Sequence, residues 1–382
     1  MPTVLYLSLY TTIGGAERAL LELLGAADIS RFRPLVVVPG EGPLPSALAA
    51  RGFEVCREAF PTPPLHALFR PQVARALLAA AWRLRRLART RGVRLFHCGD
   101  LLAALLLLPA SWPRGRVLYQ VNYIGGAPRR WLLNLLGLFT LHKVVAYSRD
   151  QQAEIVRAPG WLRRRTVVVW PGIDPVPFER GDREAVRREL GVEAGTTLIG
   201  LLARYDVWKG HHVFLEAAAR VRARWPEVRF LIAGGALNAE SLPHVARCRD
   251  TVLARRRELG LDDAVVVLDH RQDVPSLLAA LDIVVCPSFR EPFGMIVVEA
   301  LAAGRAVVAS NSGGPAEIIE DGRSGLLFAT GSSEHLAARL GELVGDQDRR
   351  RTLGAAGSAR VRAAFTARRY ASEMEALYAA LA

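Results

Sequence analysis

Short runs of apolar residues recur along the chain, separated by longer segments in which apolar positions repeat at helical spacing. In the first half, the runs predict buried strands at 3–9, 34–39, 54–57, 95–98, 116–121, 143–148 and 166–170. In the second half, they predict strands at 197–202, 229–233, 264–268, 283–287, 306–310 and 325–328. Strands that alternate with helices are typical of parallel sheets covered on both faces. The pattern therefore predicts doubly wound α/β units, followed by helices over 333–381.

The segment 171–177 interrupts this alternation with three prolines and a glycine, which favours a linker. We therefore predict an N-terminal domain at 1–172 and a second domain at 173–360, with 361–382 forming a helix that packs back on the first domain. Doubly wound sheets bind ligands at the carboxyl ends of their strands. If those ends face each other, the active site lies in the cleft between the domains.

The net charge of +13 is unevenly distributed. Residues 1–172 contain 23 Lys and Arg against 9 Asp and Glu, a balance of +14, and the remainder carries −1. An N-terminal half with this excess of positive charge can attract nucleic acid, an anionic membrane or a phosphorylated substrate. The alternative is codon bias, because 48 arginines stand against 2 lysines.

Three features of the sequence indicate the cellular compartment in which the protein is expected. The four cysteines contain no C-x-x-C pair, which argues against a disulfide framework or a zinc site and fits a reducing environment. The chain opens directly on a strand pattern, so we expect no signal peptide. The most apolar run, 101–109, is too short to span a bilayer. We expect a cytoplasmic protein, with any membrane contact made from the inner face.

Two glycine-containing or cationic segments follow predicted strands. Gly14 and Gly15 precede a helical pattern, and the helix N-terminus could bind an anion, although a plain turn would look the same. Arg204 and Lys209 follow the strand at 197–202 and precede another helix, which makes a site suited to a diphosphate. The alternative is two solvated surface cations.

The segment 288–299 combines a carboxylate, a turn and a helix start. Glu291 precedes the turn, and the amides of Phe293, Gly294 and Met295 lie where a helix begins, an arrangement suited to phosphate. Glu299 follows about two turns later. Carboxylates at this spacing alone are common on helix faces, but the motif PS-x-x-EPFG-x-x-x-x-E is much more specific.

The motifs GGAER, RYDVWKG, PGID, PSFREPFGMIVVEALAAG and SGGPAEIIEDGRSGLL occur in the order found in retaining family-four glycosyltransferases. The chain resembles this family over nearly its whole length, more strongly from 167 to 328. The resemblance implies the GT-B fold, in which two Rossmann-like doubly wound parallel-sheet domains face each other across a cleft. It also implies a nucleotide-diphosphate sugar donor with UDP or GDP, and a hydroxyl acceptor on a glycan, a glycolipid or a polysaccharide precursor.

The resemblance assigns roles residue by residue. Arg204 and Lys209 match the pair that holds the donor diphosphate, and Glu291 matches the acid that faces the donor sugar. Glu299 matches the acid that binds the ribose. The remaining donor-binding positions that it implies are Gly14, Gly15, His270, Arg271, Phe293, Gly294, Met295 and Ile296.

The chain departs from the family pattern at Asn122 and at residues 269–271. Many relatives have a His where this chain has Asn122, and Asn cannot act as a general base. His97 ends another strand near the expected cleft, and it could be either a sugar or acceptor contact or a buried structural residue. The usual Gly after the strand at 264–268 is replaced by Asp269, His270 and Arg271, beside the expected position of the nucleotide base.

These roles predict a metal-independent reaction in which the catalytic residues Arg204, Lys209 and Glu291 act on the donor, with no cofactor. The alternatives are an epimerase or phosphorylase of the same fold, or a non-catalytic protein that binds sugar nucleotides. Two basic segments, 72–91 and 129–133, favour a lipid-linked or anionic acceptor and peripheral membrane contact, although an ordinary packed helix would look similar. Nucleic acid is not expected, since basic residues are not interleaved with a stacking surface.

Overall fold

The computed structural model describes residues 1–62, 70–122, 133, 135, 141–157, 160–235 and 243–382. The described chain divides into two compact units. Unit 1 consists of Met1–Gly172 together with Ala367–Ala382, and unit 2 consists of Ile173–Thr366. The basic segment expected at 129–133 lies outside the described residues, apart from Leu133.

Unit 1 is built on a seven-stranded parallel sheet in the order β3-β2-β1-β4-β5-β6-β7. Its strands are β1 (Thr3–Leu7), β2 (Arg33–Val38), β3 (Glu54–Arg57), β4 (Leu95–Cys98), β5 (Arg116–Gln120), β6 (Leu141–Ala146) and β7 (Thr166–Val168). Its first helices are α1 (Gly15–Ala26), α2 (Pro43–Ala50), α3 (Pro71–Thr90), α4 (Leu101–Ser111), α5 (Arg149–Ile155) and α6 (Gly160–Arg165). The sheet order changes direction between β1 and β4, which makes this pair the switch point.

Unit 2 contains a six-stranded parallel sheet in the order β10-β9-β8-β11-β12-β13. The strands are β8 (Leu198–Leu202), β9 (Arg229–Ala233), β10 (Val265–Leu268), β11 (Ile283–Cys286), β12 (Ala306–Ser310) and β13 (Leu326–Phe328). The helices are α7 (Val176–Glu179), α8 (Arg183–Glu189), α9 (His211–Arg224), α10 (Pro243–Glu258), α11 (Val274–Ala280), α12 (Met295–Ala302), α13 (Pro315–Ile318), α14 (Ser333–Val344) and α15 (Gln347–Ala364). Here the switch point lies between β8 and β11.

The last helix, α16 (Ala367–Leu381), belongs to unit 1. It packs on α1, and Tyr370, Met374 and Tyr378 are buried with side chains of the central strands. Glu375 accepts hydrogen bonds from the amide of Asp28 and from Arg31. The segment that returns to unit 1 begins later than the expected residue 361, because α15 continues without interruption to Ala364.

The strands of both sheets form where apolar side chains can be buried on both faces. Val4, Leu5, Val36 and Val37 have no exposed surface in unit 1, and such continuous apolar runs are typical of parallel sheets. Predicted and observed strands differ at their ends; the predicted strand at 143–148, for example, is observed at Leu141–Ala146. None of the described helices combines the length and apolarity that a bilayer crossing requires.

Candidate functional site

The loops after β8 and β11 bring Lys209 and Glu291 together at the switch point of unit 2. The Lys209 ammonium lies 2.5 Å from Glu291 Oε2, and both side chains are mostly buried. Ser288 donates a second hydrogen bond to the same oxygen at 3.1 Å. The sequence placed these two charged residues 82 positions apart. In the folded protein they form an ion pair at the carboxyl ends of the strands, where doubly wound folds bind ligands.

Glycines allow the loops of this site to approach each other closely. Gly210 has a φ of +71°, and a Cβ there would lie 2.2 Å from the carbonyl oxygen of Pro287. Gly313 has a φ of +58°, and a Cβ there would lie 2.2 Å from the carbonyl oxygen of Glu291. Side chains at either position would force the backbones apart. The backbone of Glu291 is thereby held from a second side, since it also accepts the amide of Gly314 at 2.9 Å.

An aromatic ring and a backbone bond orient Lys209. Its ammonium lies 3.9 Å from the ring centroid of Trp208, within cation–π range. The carbonyl of Trp208 accepts the amide of Phe289 at 2.8 Å, which ties the first loop to the second. Lys209 is therefore positioned by three neighbours: Trp208, Glu291 and the loop that carries Phe289.

Arg204 is less constrained than Lys209. Its side chain is about half exposed, at 49%, and it pairs with Asp206 at 3.3 Å. Behind this loop, Tyr205 stacks on His211 with ring centroids 5.0 Å apart. Burial lowers the pKa of His211 to about 4, so its ring is neutral near pH 7. The loop thus carries Arg204 and Lys209, and the packed rings of Tyr205 and His211 support it without adding charge.

Helix α12 begins at this site, as the sequence predicted. Gly294 adopts a φ of +103° at the N-cap, and Met295 is the first helical residue. The first amides of a helix have no acceptor within that helix, and its dipole favours an anion there. Glu299 lies on the same helix and is buried, with 3% of its surface exposed.

Two further donor-binding predictions, His270 and Arg271, fall after β10. Arg271 forms ion pairs with Glu189 and Asp273, at 2.5 Å and 2.7 Å, which engage its guanidinium within unit 2. The backbone of His270 lies against Gly235, where a Cβ would come within 3.3 Å of the His270 amide. Donor binding by His270 and Arg271 stays a prediction, and for Arg271 it would compete with two carboxylates.

Unit 1 has a cavity of about 50 Å³ at its own switch point. It lies at the carboxyl ends of β1, β4 and β5 and beside α1. Its polar lining comprises Ser8, Tyr10, Glu17, His97, Asp100, Gln120, Asn122 and Tyr147. Glu17 also accepts the amide of Gly14 at 3.0 Å, which ties the glycine loop to this wall. Its hydroxyl, amide and carboxylate groups are hydrogen-bond partners for a hydroxyl group of a ligand.

His97 is held from both sides by the protein. Its Nδ1 lies 2.7 Å from the Tyr378 hydroxyl and its Nε2 lies 2.9 Å from Gln120 Oε1. The Gln120 amide in turn donates to the Tyr370 hydroxyl at 2.7 Å. Since Oε1 can only accept, the geometry assigns the proton to Nε2 and makes Tyr378 the donor to Nδ1. Of the two sequence interpretations, this geometry favours the structural one, although His97 still lines the cavity.

Asn122 is oriented by two neighbours. The Tyr147 hydroxyl donates to its Oδ1 at 2.8 Å. Gly99 leaves room for its amide, because a Cβ there would lie 2.3 Å from Asn122 Nδ2. The side chain is fixed at the cavity, and contact with sugar or acceptor stays a prediction.

Protonation of His97 is expected to destabilise the protein in acid. Burial lowers its folded pKa from 6.5 to about 4, so the unfolded chain takes up the proton first as the pH falls. The stabilisation is present above pH 6.5 and is lost towards pH 4. At pH 5 the loss from this one group is roughly 2 kcal/mol relative to pH 7.5. Urea unfolding of wild type and His97→Gln at both pH values measures it. An equal pH dependence in the two proteins would refute the assignment.

Several residues of these sites were missed from the sequence. Tyr370 and Tyr378 lie more than 240 positions from their partners Gln120 and His97, on a helix whose pattern indicated only packing. Trp208 and Ser288 stood within quoted motifs but had no predicted role. Gln120 could have been found from the sequence, because it is a polar residue at the end of the apolar run of β5, where ligand sites form.

Two doubly wound parallel-sheet units, each with ligand-suited side chains at its switch point, define the GT-B class. The Anabaena protein Alr3699/HepE, solved with UDP-glucose, has the same fold, with a TM-score of 0.84, 26% identity, and coverage of 99% of each chain. Sucrose-phosphate synthase from Thermosynechococcus elongatus also shares the fold, with a TM-score of 0.82 and 20% identity over 100% of this chain and 99% of that one.

Two family models match the chain in succession. "Glycosyltransferase Family 4" matches residues 13–176, and "Glycosyl transferases group 1" matches residues 182–360. The chain belongs to the family-four glycosyltransferases, as its motifs indicated.

Curated relatives are named D-inositol 3-phosphate glycosyltransferase. The protein from Nocardia farcinica is 32% identical over 216 residues, which cover 56% of this chain and 47% of the relative. The protein from Geodermatophilus obscurus is 32% identical over 304 residues, 78% of this chain and 63% of the relative. The chain spans about half the length of the first of these relatives.

Proposed function

We propose that this protein transfers a sugar from a nucleoside-diphosphate sugar to a hydroxyl acceptor. The observation that carries the proposal is the convergence of Lys209, Glu291 and the α12 N-terminus at the switch point of unit 2. A diphosphate needs cations and free amides, and a sugar needs a carboxylate that accepts its hydroxyls. UDP-glucose is the first donor to test, because it is bound in the structure of the Anabaena relative.

In the proposed mechanism, the bond between the sugar anomeric carbon and the diphosphate breaks. Negative charge accumulates on the leaving phosphate, and positive charge accumulates on the sugar. Arg204, Lys209 and the α12 amides stabilise the leaving group in a preorganised site. Glu291 accepts hydrogen bonds from sugar hydroxyls, and Glu299 binds the ribose.

We propose that the acceptor hydroxyl attacks from the face that the phosphate leaves, so that the product retains the anomeric configuration. Its proton passes to a phosphate oxygen, and no protein side chain serves as base. The charge that a divalent cation supplies in other transferases comes here from Arg204 and Lys209. Among the residues that the structure describes, no three His, Cys, Asp or Glu side chains are grouped to hold a metal ion.

The acceptor is proposed to bind in unit 1, with its reacting hydroxyl at the cavity by the carboxyl ends of β1, β4 and β5. The polar lining of this cavity offers hydrogen-bond partners to the hydroxyl groups of an acceptor, which we propose is a glycan, a glycolipid or a polysaccharide precursor. D-inositol 3-phosphate is one candidate, since the curated relatives carry its name.

Transfer is tested by incubating the protein with UDP-glucose or GDP-mannose, an acceptor panel that includes D-inositol 3-phosphate, and a chelator. We expect nucleoside diphosphate release that depends on the acceptor and persists with chelator, and a product that keeps the anomeric configuration of the donor by NMR. Epimerised donor without transfer would indicate an epimerase, and phosphate-dependent cleavage a phosphorylase. Tight nucleotide binding with no turnover would indicate a non-catalytic binding protein.

A further inference from the structure

Helix α3 exposes a stripe of apolar and basic residues. Leu78 and Trp82 are 59% and 61% exposed, one turn apart on the same face. Arg75 precedes them and Arg86 follows them at helical spacing, and both are exposed. The opposite face is buried against α4 and the sheet through Ala81, Leu84 and other small or apolar side chains. Leu77, Leu84 and Leu87 of the predicted apolar stripe are thus packed, as in an ordinary helix, whereas Leu78 and Trp82 lie outside that packed face.

A second exposed indole lies beside this stripe. Trp112, just after α4, is 68% exposed. Arg85 connects the two tryptophans: its guanidinium carbon lies 5.6 Å from the ring centroid of Trp82, and its Nη1 donates to the Trp112 carbonyl at 3.2 Å. Leu78, Trp82 and Trp112 form what we term the indole surface.

The indole surface is surrounded by positive charge. Residues 70–116 contain ten arginines and one acidic residue, Asp100. Asp100 caps α4 at the opposite end of that helix from Trp112. Two of the arginines, Arg83 and Arg91, are paired with Glu58 and Glu54. Arg75 lies about one turn before Leu78, and Arg86 lies one turn after Trp82 on the same helix.

We propose that the indole surface docks on an anionic membrane. Indole rings favour the boundary between headgroups and acyl chains, where the apolar ring is buried and the N–H stays in a polar layer. Arginines around them pair with anionic headgroups, each adding affinity within a Debye length of the surface. Docking of this kind requires no spanning helix.

The charge distribution of the indole surface favours a membrane over a second copy of this chain or a nucleic acid. A second copy of this chain would bring two arginine-rich surfaces together, which like-charge repulsion opposes. Single-stranded nucleic acid needs a run of stacking rings along a groove, whereas this surface has two indoles with Arg85 between them. An anionic bilayer matches both the apolar centre and the basic surround.

Vesicle co-sedimentation of the full chain tests the proposal. We expect binding to phosphatidylcholine vesicles that contain phosphatidylglycerol at low salt, weak binding at high salt, and weak binding to phosphatidylcholine alone. Replacing both indoles, in Trp82→Ser/Trp112→Ser, should abolish most of the binding. Arg86→Gln should weaken it about fivefold, the effect of one arginine near an anionic surface. The matched control is Arg351→Gln, an exposed arginine on α15 of unit 2.

Absence of binding to anionic vesicles at low salt would overturn the proposal, as would equal binding by wild type and the double-indole variant. Self-association of wild type that the double-indole variant lacks, without vesicle binding, would assign the surface to a dimer instead. Transfer to a water-soluble acceptor should be unchanged in both indole and Arg86 variants. Failure of the docking proposal therefore leaves the proposed activity intact, and loss of that activity would not affect vesicle binding.

Discussion

Replacing Lys209 by Ala is expected to lower kcat/KM for sugar transfer by about 10²–10³-fold, the usual cost of losing one preorganised contact to developing negative charge. The loss should fall mainly on kcat, because the leaving diphosphate gains charge in the transition state. Glu291 would also lose the ion pair that holds it. Steady-state kinetics with UDP-glucose and an acceptor identified by the transfer assay measure the effect.

The matched control for this variant is Lys143→Ala, which removes the only other lysine of the sequence, in β6 of unit 1. It should retain nearly full activity. Lys209→Arg should recover part of the rate by restoring the charge, although a planar guanidinium does not reproduce the contacts of an ammonium. A Lys209→Ala variant with a near wild-type rate would remove Lys209 from the proposed mechanism.

Replacing Gly210 by Ala is expected to cause the second large effect. The added Cβ would meet the Pro287 carbonyl at 2.2 Å, and the residue would have to adopt a φ of +71°. Left-handed strain of about 1–2 kcal/mol and overpacking of about 1–3 kcal/mol both lower the free energy of unfolding. Because Gly210 follows Lys209, we also expect about a 100-fold lower kcat from its misplacement.

Gly191→Ala is the matched control for the steric part of this prediction. Gly191 has a φ of +63° in unit 2, but nothing lies within 4 Å of a Cβ there. It should therefore show the left-handed strain alone and keep its activity. Denaturant unfolding and kinetics of both variants separate the two contributions. Equal stability losses would mean that close approach to Pro287 has no energetic role.

Local sequence patterns were sufficient for the strands, the two α/β series and the loops that follow β8 and β11. Buried parallel strands produce continuous apolar runs, and helix starts such as Met295 follow a glycine that can adopt a positive φ. These signals are local in the chain. The ends of strands were predicted less well, since pairing with a neighbour decides where β6 starts, at Leu141 rather than Lys143.

Contacts between distant segments explain what the sequence did not reveal. The Lys209–Glu291 pair depends on how β8 and β11 are placed in the sheet, and the His97 network depends on α16 returning to unit 1. A strand-end histidine in the sequence fits a ligand contact and a structural role equally well. Only the positions of Tyr378 and Gln120 show that both ring nitrogens already have partners.

The central claim is that the β8 and β11 loops of unit 2 bind the diphosphate of a sugar nucleotide. A crystal structure of the protein soaked with UDP-glucose tests it most directly. We expect the diphosphate oxygens within hydrogen-bond distance of Lys209, Arg204 and the first amides of α12, with the glucose hydroxyls on Glu291. A UDP-glucose molecule bound elsewhere, with the Lys209–Glu291 pair untouched, would contradict the claim.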